Sequence, residues 1–344
     1  MREHPPHSGL DGLADAIAQV ERAMREQLAS EGGLAPLIGD HVLGSGGKRL
    51  RPAMLMLVAE LCGYTGPRRV QVAAAVELLH TATLLHDDVV DLAHLRRGRA
   101  SANALWGNRR AILVGDFLYA RASSMIVEDG DLEILRIFSD TIRLMAEGEL
   151  LQLERSFDPS VTEQHYYQVI DRKSAVLLAA ACDAGAILSG VTRAERRRLA
   201  EFGRQVGLAF QLRDDALDYE AEVGKLGKRP CADLREGKVT LPLLLALKRC
   251  SAAEREEAAA LLKTAGRRAA ALSAEGVNDP EQVLSDEDLA PVLDLVRRYR
   301  GVEDTDRRAR EHVERAVAAV APFPDGEAKR ALLEAAEFAV ARAH

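Results

Sequence analysis

Apolar residues recur along most of this chain at helical spacing, with short Gly, Pro or Asp punctuation between the periodic stretches. The pattern predicts a helix over roughly residues 10–30, then a Gly-rich break ending at Gly44-Ser45-Gly46-Gly47. A second helix is expected from about Arg51-Pro52 to Gly63, with Pro suited to a first turn. Longer ones follow over about Val70–Asp91, Arg110–Glu128 and Leu132–Leu153. Then come about Glu163–Ser189, broken near Gly185, and about Arg193–Tyr219. A polar loop, Gly224 to Lys238, leads to Leu241-Pro242-Leu243 and another helix. The segment over about 263–288 is rich in charge and small residues and reads as a surface excursion. Helices over about Leu289–Val320 and Gly326–Arg342 close the pattern. No strand pair, repeat or interdomain linker stands out, so one all-α domain over 1–344 is expected, with residues 1–30 as its N-terminal helix.

Composition narrows the function. Aromatics are only 4% of 344 residues, while Ala and Leu, good helix formers, are abundant. A net charge of −7 argues against general nucleic-acid binding, yet leaves room for a local basic cluster. The four cysteines, Cys62, Cys182, Cys231 and Cys250, form no CxxC pair, so neither a zinc site nor a disulfide framework is expected, and a reducing, cytoplasmic setting fits. The first residues carry no apolar signal-peptide core, and no apolar run reaches transmembrane length.

Two acidic clusters carry the chemistry. In His86-Asp87-Asp88-Val89-Val90-Asp91, the four-residue spacing puts Asp87 and Asp91 on one helix face, where like charges repel. Such a cluster alone can be a solvated helix end. A second copy, Asp214-Asp215-Ala216-Leu217-Asp218, again stands at the C-terminal part of an apolar helix, where acids oppose the macrodipole. Two unfavourable clusters in matching contexts point to divalent cations. Mg²⁺ takes few carboxylates and completes its shell with water and phosphate oxygens, so the implied ligand is a diphosphate. Cations suited to phosphate stand in Gly46-Gly47-Lys48-Arg49-Leu50-Arg51-Pro52 and in Arg96-Arg97-Gly98. Lys173 beside Ser174, and Lys228 and Lys238, would each alone be ordinary surface residues. Arg213, before the second cluster, is expected to pair with a neighbouring acid.

These residues resemble the trans-isoprenyl diphosphate synthases, also called polyprenyl synthetases. The likeness rests on both Asp-rich motifs, GGKRLRP, the RRG, GNRRAILVGDFLYARA and DLREGKVTLPLLLAL, in the family's order. HTATLLHDDVVD and AEGELLQL look most like the long-chain members. The resemblance implies an all-α isoprenoid-synthase helical bundle around a central apolar cavity, working as a homodimer. It also implies Mg²⁺-dependent condensation of isopentenyl diphosphate with an allylic prenyl diphosphate, with three Mg²⁺ ions once diphosphate is bound. By position, Asp87, Asp91 and Asp214 would be the main metal ligands, and Asp88, Asp215 and Asp218 would support them. Arg96, Lys173, Ser174, Gln211, Lys228 and Lys238 would hold the allylic diphosphate and its metals. Lys48, Arg51, His80 and Arg97 would hold isopentenyl diphosphate. Of these, Asp87, Asp91, Asp214, Arg96, Lys173 and Lys228 would be the catalytic group.

Short-chain relatives carry a bulky aromatic four or five residues before the first Asp. Here Thr83 and Ala82 stand there, so a product longer than farnesyl is expected, with the floor near Tyr119, Ser123 or Met125. One departure is Ala232 beside Asp233, where many relatives have paired acids. The competing readings are a geranylgeranyl diphosphate synthase, a terpene cyclase, a head-to-head synthase, and a non-catalytic subunit of a heteromeric synthase. Both Asp motifs are intact, and Lys48 and Arg51 are present, which disfavours the last three.

Overall fold

The computed structural model describes residues 13–44, 46–96, 98–220, 231–274 and 280–341. They are almost entirely helical and fall into two compact units that interleave along the chain. The fold class is all-α, as the periodicity predicts.

The first unit is built from residues 1–142, 177–204 and 316–337. It holds α1 (Ala14–Glu26), α2 (Leu34–Gly44), α3 (Leu50–Leu61), α4 (Arg68–Val90), α5 (Ala102–Trp106) and α6 (Asn108–Asp129). It also takes the start of α7 (Leu132–Glu154), all but the first residue of α9 (Val176–Leu188) and the start of α10 (Arg193–Glu220). α3 is buried without a break from Pro52 to Ala59 and serves as an axis. α4 is buried from Val72 to Leu79 and packs against α1, α3 and α6. A short hairpin, β1 (Leu95–Arg96) and β2 (Arg99–Ala100), follows α4 and turns at Gly98 with φ 75°.

The second unit comprises residues 143–176, 205–315 and 338–344. It contains the end of α7, α8 (Glu163–Ile170), the second half of α10, α11 (Ala232–Arg235), α12 (Leu241–Arg249), α13 (Ala252–Ala274), α14 (Pro280–Val283), α15 (Asp286–Arg298) and most of α16 (Gly301–Val320). Its core centres on α12, buried from Leu241 to Leu247, with apolar faces of α10, α13 and α15 around it. α17 (Glu327–Val340) ends the described helices.

Five expectations need correction. The sequence pattern predicts no strand pair, yet β1 and β2 pair antiparallel, Leu95 with Ala100 and Arg96 with Arg99. The break in the 163–189 stretch is not at Gly185 but at a π-helical turn, Asp171–Ala175. Such turns insert one residue into the helical ladder and re-aim their side chains. The presumed surface excursion is helical through Ala274, because Leu262 and Ala265 are buried in the second unit's core. The 289–320 stretch breaks at Arg300, φ 56°, before Gly301. A helix, α2, also occupies what reads as a Gly-rich break, because its buried Ile38 and Leu43 outweigh its glycines.

Gly185 lies inside α9 for a packing reason. A Cβ there would stand 2.6 Å from the Leu55 carbonyl oxygen and 3.2 Å from the Ala59 nitrogen, both backbone atoms of α3 that cannot step aside cheaply. Gly185→Ala is therefore expected to destabilise the protein by about 1–3 kcal/mol. A thermal melt checks this, and an unchanged midpoint would contradict the close α3–α9 contact.

Candidate functional site

The first acidic cluster ends α4. The N–H of Asp91, the helix cap, donates to the Asp87 carbonyl at 2.7 Å, and no basic residue occupies the last turn. Asp87 and Asp91 are half-buried and one turn apart on the same face. Asp88 is different. It is 3% exposed, and its Oδ1 accepts from Arg96 Nε at 2.6 Å. Its carbonyl oxygen accepts from Asn103 Nδ2 at 3.0 Å and from the Ala93 N–H at 2.9 Å. The β1–β2 hairpin thus returns Arg96 to the cluster. Burial pushes the Asp88 carboxyl up against the pull of Arg96, and the Asp91 charge adds to the rise.

Beside this cluster, His86 Nε2 lies 3.1 Å from the Ile112 carbonyl oxygen and 3.4 Å from Asp116 Oδ1. A Cβ on Gly115 would stand 2.3 Å from that nitrogen, so the Gly of the VGD triplet makes room for the imidazole between α4 and α6.

The second cluster lies near the C-terminal end of α10, again with no basic residue in the last turn. Asp215 is 2% exposed and accepts from Tyr166 Oη at 2.5 Å and from Gln211 Nε2 at 2.7 Å. Gln211 Oε1 accepts from Ser174 Oγ at 2.7 Å, so Ser174, Gln211, Asp215 and Tyr166 form one chain. The Asp218 carboxylate accepts the backbone N–H groups of Ala232 and Asp233 at 3.0 and 3.2 Å, closing the start of α11. Burial, and next the Asp233 charge, push the Asp215 carboxyl up to about 8. The same two causes hold Asp218 well above the ordinary carboxylate range. Asp214 is half-buried beside them.

Several cations occupy specific pairs. Lys173 Nζ meets Glu149 Oε2 at 2.5 Å, and Lys238 Nζ meets Glu236 Oε2 at 2.5 Å. Arg213 binds Asp306 at 2.9 Å and Glu220 at 3.1 Å, as its sequence context suggests. Arg97 and Lys228 lie outside the described residues. The structure brings Lys173, Ser174, Gln211 and Asp215 together within the second unit, and Arg96 and Asp88 together within the first.

Some residues that shape these clusters are silent in the sequence. Tyr166 has no marker beyond a Tyr pair. Gly148, inside the AEGELLQL run, is a visible signal. A Cβ there would lie 2.8 Å from the Lys173 nitrogen and 2.9 Å from Arg172 Cβ. Only glycine lets α7 pass so close to the π-helical turn that carries Lys173 and Ser174.

Thr83 and Ala82 differ in placement. Ala82 is 1% exposed, packed within the first unit. Thr83 is half-buried, one turn before Asp87 on the same face, and its hydroxyl donates to the His80 carbonyl at 2.8 Å. Further along that face, Val76 and Val72 line a small apolar pocket with Ile126, Ile134, Phe138 and Leu177. Ile126, next to the Met125 named from the sequence, lines it from α6.

The donor set suits a hard cation, since all six motif residues offer carboxylate oxygens. Carboxylates that burial and like charge hold above their ordinary range are those a cation would relieve. Among the described residues, no group of three or more His, Cys, Asp or Glu side chains is preassembled to grip an ion by itself. No helix among the described residues is long and apolar enough to cross a membrane.

Comparisons with known proteins agree with this picture. The sequence model of the family described as Polyprenyl synthetase matches residues 36–275. Octaprenyl diphosphate synthase of Escherichia coli (strain K12) is 42% identical over 329 residues, covering 96% of each chain. All-trans-nonaprenyl-diphosphate synthase (geranyl-diphosphate specific) of Rhodobacter capsulatus is 37% identical, again covering 96% of each. A crystal structure of polyprenyl synthase from Caulobacter crescentus CB15, complexed with calcium and isoprenyl diphosphate, superposes with a TM-score of 0.86 at 39% identity over 97% of each chain. With its all-α fold, both Asp-rich helix ends and likeness along nearly its whole length, the chain belongs to the polyprenyl synthetase family.

Proposed function

We propose that this protein is an all-trans polyprenyl diphosphate synthase, a prenyltransferase joining isopentenyl diphosphate head-to-tail to an allylic diphosphate, with a product longer than farnesyl. One observation carries the reading. Two carboxylate clusters stand at helix C-terminal ends without basic residues in the last turns, an arrangement that bound cations would make favourable.

Asp87, Asp91 and Asp214 are proposed as the principal Mg²⁺ ligands. Asp88, Asp215 and Asp218 support them through the bonds to Arg96, Tyr166, Gln211 and the α11 N–H groups. The metal, three ions with diphosphate bound, supplies charge neutralisation for the departing pyrophosphate. Arg96, Lys173, Ser174, Gln211, Lys228 and Lys238 hold the allylic diphosphate. Lys173 reaches it by exchanging Glu149 for phosphate. Lys48, Arg51, His80 and Arg97 hold isopentenyl diphosphate and set its double bond against the allylic carbon. The C1–O bond of the allylic substrate breaks to give allylic cation character at C1, the isopentenyl double bond attacks that carbon, and the released pyrophosphate takes the proton. Apolar side chains keep water from the allylic cation.

Product length is proposed to follow the α4 face that carries Asp87. Thr83 is the first side chain a growing tail meets there, and Val76 and Val72 lie about 16 and 22 Å along the helix from Asp87. We further propose that residues 1–344 act as one domain, that the enzyme is a homodimer, and that it is cytoplasmic. The family likeness supports the first two, and four cysteines without disulfides support the third. A geranylgeranyl diphosphate synthase is the alternative on product length.

The direct test is incubation with Mg²⁺, farnesyl diphosphate and labelled isopentenyl diphosphate, with products separated by length. A ladder ending well above geranylgeranyl is expected, and none once Mg²⁺ is chelated. A stop at geranylgeranyl would select the alternative, and no incorporation with any allylic primer would favour a non-catalytic subunit. In the same assay, Thr83→Tyr is expected to shorten the product to geranylgeranyl or below. An unchanged ladder would mean that this α4 face does not guide the tail. Gly148→Ala, which drives a methyl into the backbone at Lys173, is expected to lower turnover about tenfold or more with helix content retained by circular dichroism. Full activity would contradict the proposed role of the α7 contact.

A further inference from the structure

Between Lys48 and Arg51, one cation of the GGKRLRP turn faces the opposite way. Lys48 is exposed, whereas Arg49 is 9% exposed and buried in the first unit. Its backbone is left-handed, φ 45° and ψ 38°, at the cap of α3. A residue with a Cβ holds that conformation only at a cost, so other contacts must fix it.

The guanidinium supplies those contacts in three directions. Nε donates to Glu21 Oε1 at 3.0 Å, Nη1 to Glu77 Oε1 at 3.2 Å, and Nη2 to the Leu43 carbonyl at 2.8 Å. Glu77 is 4% exposed, and its Oε2 is buried with no hydrogen-bond partner among the described residues. A buried ion pair with one orphaned oxygen is a poor way to gain stability, since apolar side chains of similar volume often do as well or better. Its value lies in what it connects. Glu77 stands on α4 three residues before His80, one turn away on the same side of the helix, and ten before Asp87. The Arg49–Glu77 pair ties the turn that carries Lys48 and Arg51 to the helix that carries His80. Gly46 at φ 76° and Gly47 at φ 158° give that turn wide conformational freedom, which a fixed anchor must remove.

We propose that Arg49 and Glu77 are positioning residues for isopentenyl diphosphate. They touch no substrate. They fix the GGKRLRP turn against α4 so that Lys48, Arg51 and His80 converge on one diphosphate. The proposal rests on the synthase reading above.

Steady-state kinetics on purified variants test it, with isopentenyl diphosphate and farnesyl diphosphate varied in turn. Glu77→Gln and Arg49→Met are each expected to raise KM for isopentenyl diphosphate about tenfold, with KM for farnesyl diphosphate and kcat within about twofold. Arg49→Lys keeps the charge but loses the fork, and is expected to rescue only part of the loss. The double variant Arg49→Met/Glu77→Met separates positioning from stability. It is expected to melt near the wild type while its KM for isopentenyl diphosphate stays raised. A double variant that restores both melting point and KM would overturn the proposal, as would variants that raise both KM values together or neither. A wild-type protein that neither binds isopentenyl diphosphate by calorimetry nor condenses it would overturn the synthase reading and this one together.

Discussion

The structure depends on one electrostatic burden, carboxylates concentrated at the C-terminal ends of two helices. α4 and α10 each deliver an Asp-rich turn where the backbone already presents partial negative charge, and neither last turn carries a base. The fold answers part of this burden itself. Arg96 reaches Asp88 over a hairpin, Tyr166 and Gln211 hold Asp215, and two α11 N–H groups hold Asp218. These bonds fix Asp88, Asp215 and Asp218, of which Asp88 and Asp215 are buried, while Asp87, Asp91 and Asp214 are half-buried. What stays unrelieved is visible in Asp215 and Asp218, whose carboxyls burial and Asp233 hold above their ordinary range.

Small residues let the surrounding helices carry these side chains at close range. Gly115 admits His86 beside the first cluster, and Gly148 admits the π-helical turn that aims Lys173 and Ser174. Neither glycine needs an unusual φ. Each is required because a Cβ would meet an imidazole or a neighbouring backbone. Helix–helix distance, not loop flexibility, therefore sets the local geometry of the site.

Much of this was legible in the sequence. The period of 3.6 located α3, α4, α6, α7 and α10 to within a few residues, because each buries a continuous apolar face. The paired Asp motifs and the GGKRLRP turn announced diphosphate chemistry because repeated unfavourable charge needs a reason. The π-helical turn was not legible. It follows from the tight passage of α7 at Gly148 and of α10 at Gly207, where a Cβ would lie 2.7 Å from Ala175 Cα. The inward turn of Arg49 was hidden as well, since Lys48-Arg49 reads as two solvated cations until Glu77 is seen buried beside the second. Nor could residue type separate Ala82, sealed in the core, from Thr83, open along the Asp87 face.

The central claim is that a metal-bound diphosphate relieves the two carboxylate clusters. Calorimetric titration of the protein with inorganic pyrophosphate, with Mg²⁺ and with chelator, tests it most directly. The account predicts binding that requires Mg²⁺ and weakens in both Asp87→Asn and Asp214→Asn. Pyrophosphate that binds as tightly without the metal, or is indifferent to either substitution, would contradict it.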